Sequence, residues 1–131
     1  MIVVDASVLA TALSDDGPDG TRVRMRLDGE SALCAPEVID LELAMAWRRQ
    51  LRDGRLDVSG AQQALDDLET ISLTRAPHQP LMPRIWELRE NLTSYDAAYV
   101  ALAEKLEVTL LTADRRSTRA PRLRCEIEVL K

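Results

Sequence analysis

Apolar and polar residues fall along this chain in short blocks whose spacing separates strands from helices. Ile2, Val3 and Val4 form a β-branched run closed by Asp5, the pattern of a buried strand. Residues 7–13 follow as a helix, and the Asp-Asp-Gly-Pro-Asp-Gly stretch at 15–20 has the composition of a loop. A second helix is predicted over 21–27 and a second strand at 32–34. Pro36 suits the first turn of a long helix that runs to about Arg52, where Asp53-Gly54 stops it. Ser59 is placed to cap a helix over 60–69, and 71–73 reads as the third strand. Pro77, Pro80 and Pro83 confine the next helix to 81–90, because proline is tolerated only in a first turn. Thr93-Ser94 opens a helix to Leu106, residues 108–111 make a fourth strand, a helical turn starts at Asp114, and 127–130 make the last strand. Strands alternating with helices predict an α/β fold: a central, mainly parallel sheet of four to five short strands with helices on both faces.

Composition narrows the class. A chain of 131 residues accommodates one domain, spanning 1–131, with a core that needs no staples. Aromatics make up 3% with no Phe, which argues against a stacking platform for single-stranded bases. A net charge of −5 argues against a generally basic nucleic-acid binder. It does not exclude a nuclease, because metal-binding carboxylates contribute negative charge that bound cations neutralise. Cys34 and Cys125 fit no zinc or redox spacing; reduced thiols are expected, with one disulfide left open. The N-terminus has no basic region ahead of its apolar run, and no window is long enough to span a bilayer, so a cytoplasmic protein that uses no membrane is expected.

The candidate chemistry lies in four acids. Ligand sites in open parallel sheets lie beyond the carboxyl ends of the strands. Asp5 ends the first strand there, and Asp114 follows the fourth after Thr112-Ala113. Asp96 sits in the first turn of its helix and Glu42 inside the long helix. Each has a structural alternative. Asp5 and Asp114 can cap the turns that follow them, and Asp96 completes a Thr93-x-x-Asp cap. Glu42 shares a helix side with Val38, Met45 and Ala46 in an apolar segment, where a carboxylate must be paired or metal-bound; Arg49 is the candidate partner. Clustered carboxylates repel, and a hard divalent cation relieves that repulsion, with oxygen ligands favouring magnesium or manganese over zinc. His78, the sole histidine, lies in a loop-like stretch, so no Ser-His-acid or Cys-His arrangement can be built. With metal bound, the chemistry open to such a site is attack of activated water on a phosphate ester.

These residues resemble a known family. Val3-Val4-Asp5-Ala6-Ser7-Val8-Leu9 resembles the opening of VapC-type PIN-domain toxins. Ala35-Pro36-Glu37 through Glu42, with Ala46-Trp47-Arg48-Arg49, resembles their second motif. Tyr95-Asp96-Ala97-Ala98-Tyr99-Val100-Ala101-Leu102-Ala103-Glu104 is the most specific match, and Leu110-Leu111-Thr112-Ala113-Asp114-Arg115-Arg116 follows at the expected distance. The resemblance implies a PIN-like fold and a magnesium-dependent ribonuclease, with Mn²⁺ as a substitute, forming the toxic half of a toxin–antitoxin pair. It implies Asp5 and Asp96 as principal metal ligands, Glu42 and Asp114 completing the acidic pocket directly or through water, and Ser7 and Thr112 supporting it. It further implies a homodimer and a VapB-like antitoxin whose C-terminal segment crosses the acids.

Two phosphoryl-transfer alternatives fail on residues. A haloacid-dehalogenase-type enzyme needs a second acid two positions after Asp5, where Ser7 stands, and a receiver module needs a phosphoacceptor after the third strand, where 71–74 leads to no acid. The remaining rival is a degenerate PIN domain that binds or assembles without cutting. For RNA phosphates, two arginine groups are available: Arg22, Arg24 and Arg26, or Arg48, Arg49, Arg115 and Arg116. The second group flanks site acids and is the expected RNA contact.

Overall fold

The computed structural model describes residues 1–130; Lys131, the last residue of the expected 1–131 domain, lies outside the described residues. Five parallel strands, β1 (Ile2–Val4), β2 (Leu33–Pro36), β3 (Leu73–Ala76), β4 (Leu110–Thr112) and β5 (Ile127–Val129), form one sheet in the order β3-β2-β1-β4-β5. β1 is central because it is apolar on both faces: Ile2, Val3 and Val4 are all buried. It pairs Val3 with Cys34 on one side and with Leu110 on the other.

The chain winds outward from β1 through β2 to β3, then returns past β1 to β4. Right-handed crossovers therefore place α1 (Ala6–Ser14), α2 (Pro18–Asp28), α3 (Ile39–Arg52) and α4 (Val58–Thr70) over one face. They place α5 (Met82–Glu87) and α6 (Ser94–Leu106) over the other. The reversal lies between β1 and β4. α6 is buried from Ala97 through Ala103, and its four alanines in that run let it lie close against the sheet. Among the described residues, no helix is long and apolar enough to cross a membrane.

Several element ends differ from expectation, each because of a neighbour. Pro36 closes β2 and does not open a helix. It has no N–H to give β1, and the β1 pairing stops at Cys34 while the β3 pairing runs on to Pro36. α2 starts at Pro18, so 18–20 is helix and not loop. Gly20 is required there by contact: a Cβ would stand 1.8 Å from the Asp15 carbonyl oxygen. α4 is capped by Asp57, which accepts from the Gly60 N–H at 2.6 Å, and not by Ser59. Ile71 still belongs to the end of α4, its N–H bonded to Asp67, so β3 begins at Leu73. Pro80 and Leu81 lie in a 3₁₀ turn, and α5 is shorter than the expected 81–90 helix. Glu107 adopts left-handed backbone (φ 57°) to close α6, and β4 therefore starts at Leu110 instead of 108.

A partly buried ion pair ties the second layer together. Glu104 on α6 takes two hydrogen bonds from Arg84 on α5 (2.7 and 3.1 Å) and one from the Arg124 N–H. Burial pushes the Glu104 carboxyl up, but these donors outweigh it and hold it below its ordinary value. Cys34 and Cys125 are both free thiols; Cys34 is buried and Cys125 half-buried.

Candidate active site

The reversal between β1 and β4 leaves a gap at the strand ends, and Asp5 stands in it. As N-cap of α1 it accepts from the Val8 N–H (3.2 Å), so its capping role is real. The same carboxylate is also gripped from α1 and from β4. Ser7 Oγ donates to Oδ1 at 2.6 Å, and Thr112 Oγ donates to Oδ2. Each hydroxyl is fixed in turn by the β4 turn: Ser7 Oγ accepts from Ala113 N–H (3.1 Å) and Thr112 Oγ from Asp114 N–H (2.9 Å). A carboxylate offers about four lone-pair sites, and these three donors leave one for another ligand.

Around Asp5 opens a cleft of about 360 Å³, lined by Glu42, Asp96 and Asp114, with Ser7, Tyr99, Arg49, Gln50 and Arg116. Asp96 is brought there by Thr93, whose Oγ accepts from the Asp96 N–H (3.1 Å) and starts α6 at the strand ends. Among the described residues its carboxylate has no hydrogen-bond partner. Asp114 caps the 3₁₀ turn at Arg115–Arg119 and pairs with the Arg116 guanidinium at 2.7 Å. Sequence-level proximity of the four acids is thus met by geometry.

Glu42 departs from expectation in its surroundings. The buried face of α3 carries Ile39, Leu43 and Trp47, while Leu41 and Met45 are exposed, so Glu42 lies at the edge of the core rather than among apolar residues. Its hydrogen bond comes from Tyr99 (Oη–Oε1 2.6 Å) and not from Arg49. Sequence reasoning misses Tyr99 as a site residue; the usable signal is its spacing of three from Asp96, which puts both on one face of α6.

The electrostatics are those of crowded acids. Burial raises the Asp5 carboxyl above its ordinary value; the Ser7, Thr112 and Val8 donors oppose it, and the Asp96 charge adds to the rise. Burial likewise raises Glu42, opposed by Tyr99 and reinforced by Asp96 and Asp5. Such a cluster favours a cation, and its donors are all oxygen, which suits a hard divalent ion. Among the described residues, no three His, Cys, Asp or Glu side chains are disposed to hold an ion by themselves.

The arginines divide. Arg49 and Arg116 line the cleft; Arg48 and Arg115 are exposed outside its lining. Arg24 caps α1 by donating to the Ala12 and Asp15 carbonyls (3.0 and 2.8 Å), and Arg26 is bound to Glu128 and Glu30. Those two are scaffold. His78 is exposed, 3.2 Å from the Glu37 carboxylate and outside the lining of the cleft.

The chain belongs to the PIN domain family, whose model matches residues 2–123. Along nearly its whole length it is similar to ribonuclease VapC9 of Mycobacterium tuberculosis, 41% identical over 130 residues that cover 99% of this chain and 98% of the relative. Among solved structures, PAE2754 from Pyrobaculum aerophilum shares the fold with a TM-score of 0.72 at 23% identity, covering 96% of this chain and 89% of that one. VapBC2 from Rickettsia felis, solved bound to a DNA fragment from their promoter, shares it with a TM-score of 0.70 at 15% identity over the full length of both chains.

Proposed function

We propose that this chain is a magnesium-dependent ribonuclease and the toxic half of a toxin–antitoxin pair, acting in the cytoplasm. The observation that carries the reading is Asp5, clamped between Ser7 and Thr112 at the β1–β4 gap, in one cleft with Glu42, Asp96 and Asp114. Its relatives named VapC ribonucleases support the activity. The binding-only alternative has no missing acid to rest on.

Asp5 and Asp96 would hold Mg²⁺, with Mn²⁺ as substitute, and Glu42 and Asp114 would complete the pocket directly or through water. The bound ion supplies an activated water and offsets charge developing on the phosphate. Ser7 and Thr112 favour the ionised form of Asp5 against its burial and turn it to the cleft by donating to it. Arg49 and Arg116 would meet the RNA phosphates in the cleft, with Arg48 and Arg115 on the approach; such contacts position a strand without reading its bases.

The antitoxin partner is proposed to be VapB-like, with a segment across the acids, where an inserted Arg would satisfy them in place of metal. A hollow of about 590 Å³ lined by Ser14, Asp15, Arg55 and Asp57 shares Thr11 and Gln50 with the cleft and gives that segment a path. Two chains are proposed to pair as a homodimer; Met82, Trp86 and Tyr95 stand exposed on α5 and at the start of α6 as apolar surface for it. The test is cleavage of labelled RNA by the purified chain. Cutting with Mg²⁺, none with chelator and none by Asp96→Asn supports the reading; cutting by Asp96→Asn at saturating Mg²⁺ overturns the site.

A further inference from the structure

We infer that Tyr99 is the positioning residue for Glu42: its buried hydroxyl, 2.6 Å from Oε1, holds the α3 carboxylate at the cleft opposite Asp96. The inference deepens the metal-site reading above and rests on it.

The two acids come from opposite layers. Glu42 is carried by α3 on one face of the sheet and Asp96 by α6 on the other. Nothing in either helix alone sets their separation. Among the described residues, the Tyr99–Glu42 bond is the one side-chain hydrogen bond joining α3 to α6. Tyr99 follows Asp96 by three residues, so its ring descends the same helix face and its hydroxyl reaches across just beneath the cleft.

Glu42 needs such a hold. It has three side-chain torsions, and its neighbours Leu41 and Met45 are already exposed, so solvent is open to it. The charges of Asp96 and Asp5 repel it. Tyr99 is 3% exposed and rigid, and its O–H engages one oxygen while Oε2 has no donor among the described residues. Packing alone does not call for the hydroxyl. A Phe would fill the same volume, and a buried O–H costs free energy unless paired.

The experiment is a double-mutant cycle on Mn²⁺ affinity, measured by calorimetry on chelator-stripped protein. Tyr99→Phe should weaken Mn²⁺ binding roughly 10-fold or more, the usual effect of losing a group that orients a ligand. In a Glu42→Ala background the same change should do nothing further, because its only route is through Glu42. RNA cleavage by Tyr99→Phe should need more Mg²⁺ yet approach the wild-type rate at saturation. Unchanged Mn²⁺ affinity in Tyr99→Phe, or an equal loss with and without Glu42, overturns the inference and leaves the metal site standing. A wild type that binds no Mn²⁺ overturns both.

A second measurement does not depend on that variant folding. Tyr95→Phe leaves Tyr99 as the one tyrosine of the chain. With ¹³C at the tyrosine ζ position, its resonance should move saturably on Mg²⁺ titration; a resonance that stays fixed while Mg²⁺ binds overturns the inference.

Discussion

Thr112 donates its hydroxyl to Asp5 across the β1–β4 gap, and the same oxygen accepts the N–H of Asp114 two residues on. One fully buried side chain thus sets the orientation of one acid and the backbone of a second. Thr112→Val keeps the shape and removes both bonds. RNA cleavage should fall at least roughly 10-fold, the usual cost of losing an orienting group. The melting temperature should drop by roughly 4–11 °C, for a loss of about 1–3 kcal/mol from the unsatisfied groups. Cleavage at the wild-type rate would show that the clamp is incidental.

Asp5 does two jobs that two substitutions separate. Asn caps a helix as well as Asp does, whereas Ala forfeits about 1 kcal/mol at that position. Asp5→Asn should abolish cleavage at no cost in stability, and Asp5→Ala should abolish it and melt below Asp5→Asn. Because burial raises the Asp5 pKa, the ionised form works against folding at neutral pH, and that cost grows as pH rises through the folded-state value. Asp5→Asn should therefore melt higher than metal-free wild type at pH 7. Mg²⁺ or Mn²⁺ should raise the melting temperature of wild type and leave that of Asp5→Asn almost unmoved. Equal melting of wild type with metal and with chelator, followed by calorimetry, would count against the acidic pocket as a metal site.

Arg26 joins α2 to the edge strand β5 through Glu128 (2.8 and 3.0 Å) and to Glu30 (2.9 Å). Its hydrogen bonds hold both carboxyls below their ordinary value of 4.5. A depressed carboxylate pKa gives stability that is present above the unfolded value and lost as pH falls through the folded one. Arg26→Met should therefore cost about 1 kcal/mol in urea denaturation at pH 7, discounted for partial exposure, and less at pH 3, below the ordinary carboxylate value. An equal deficit at both pH values would assign the effect to packing.

An acidic chain must hold RNA by local charge, and Arg49 and Arg116 are the arginines placed in the cleft. Replacing both with Ala should weaken RNA binding across unrelated sequences and reduce the slope of log affinity against log salt by up to about 1.4, at about 0.7 for each single-strand phosphate no longer neutralised. Metal affinity belongs to the carboxylates and should survive. An unchanged slope would place RNA entry elsewhere on the surface.

What the chain discloses before folding follows from how local each determinant is. The Thr93 cap, the α6 run and the strand cores at Val3, Cys34 and Leu110 depend on neighbouring residues and read correctly. Strand ends do not: β2 runs on to Pro36 because β3 accompanies it, and β3 waits for α4 to finish at Ile71. The four acids are visible because each sits at an element end or in a segment with little else to explain it. The Tyr99–Glu42 bond is not, since it exists only when two layers meet 57 positions apart. Arg24 and Arg26 are equally opaque, because their partners are a helix terminus and a strand assembled at a distance.

The position of β1 at the centre of the sheet has a consequence for synthesis. Its first residues leave the ribosome long before β4 exists, and Asp5 is separated from Thr112 by 107 positions. At ordinary elongation rates that interval is roughly 5–20 s, during which the acid has neither its second strand nor its second hydroxyl. A nascent chain therefore carries no assembled cleft until β4 has been translated. Any frameshift or stop codon ahead of β4 should yield a polypeptide that a cell tolerates, however intact its first two motifs.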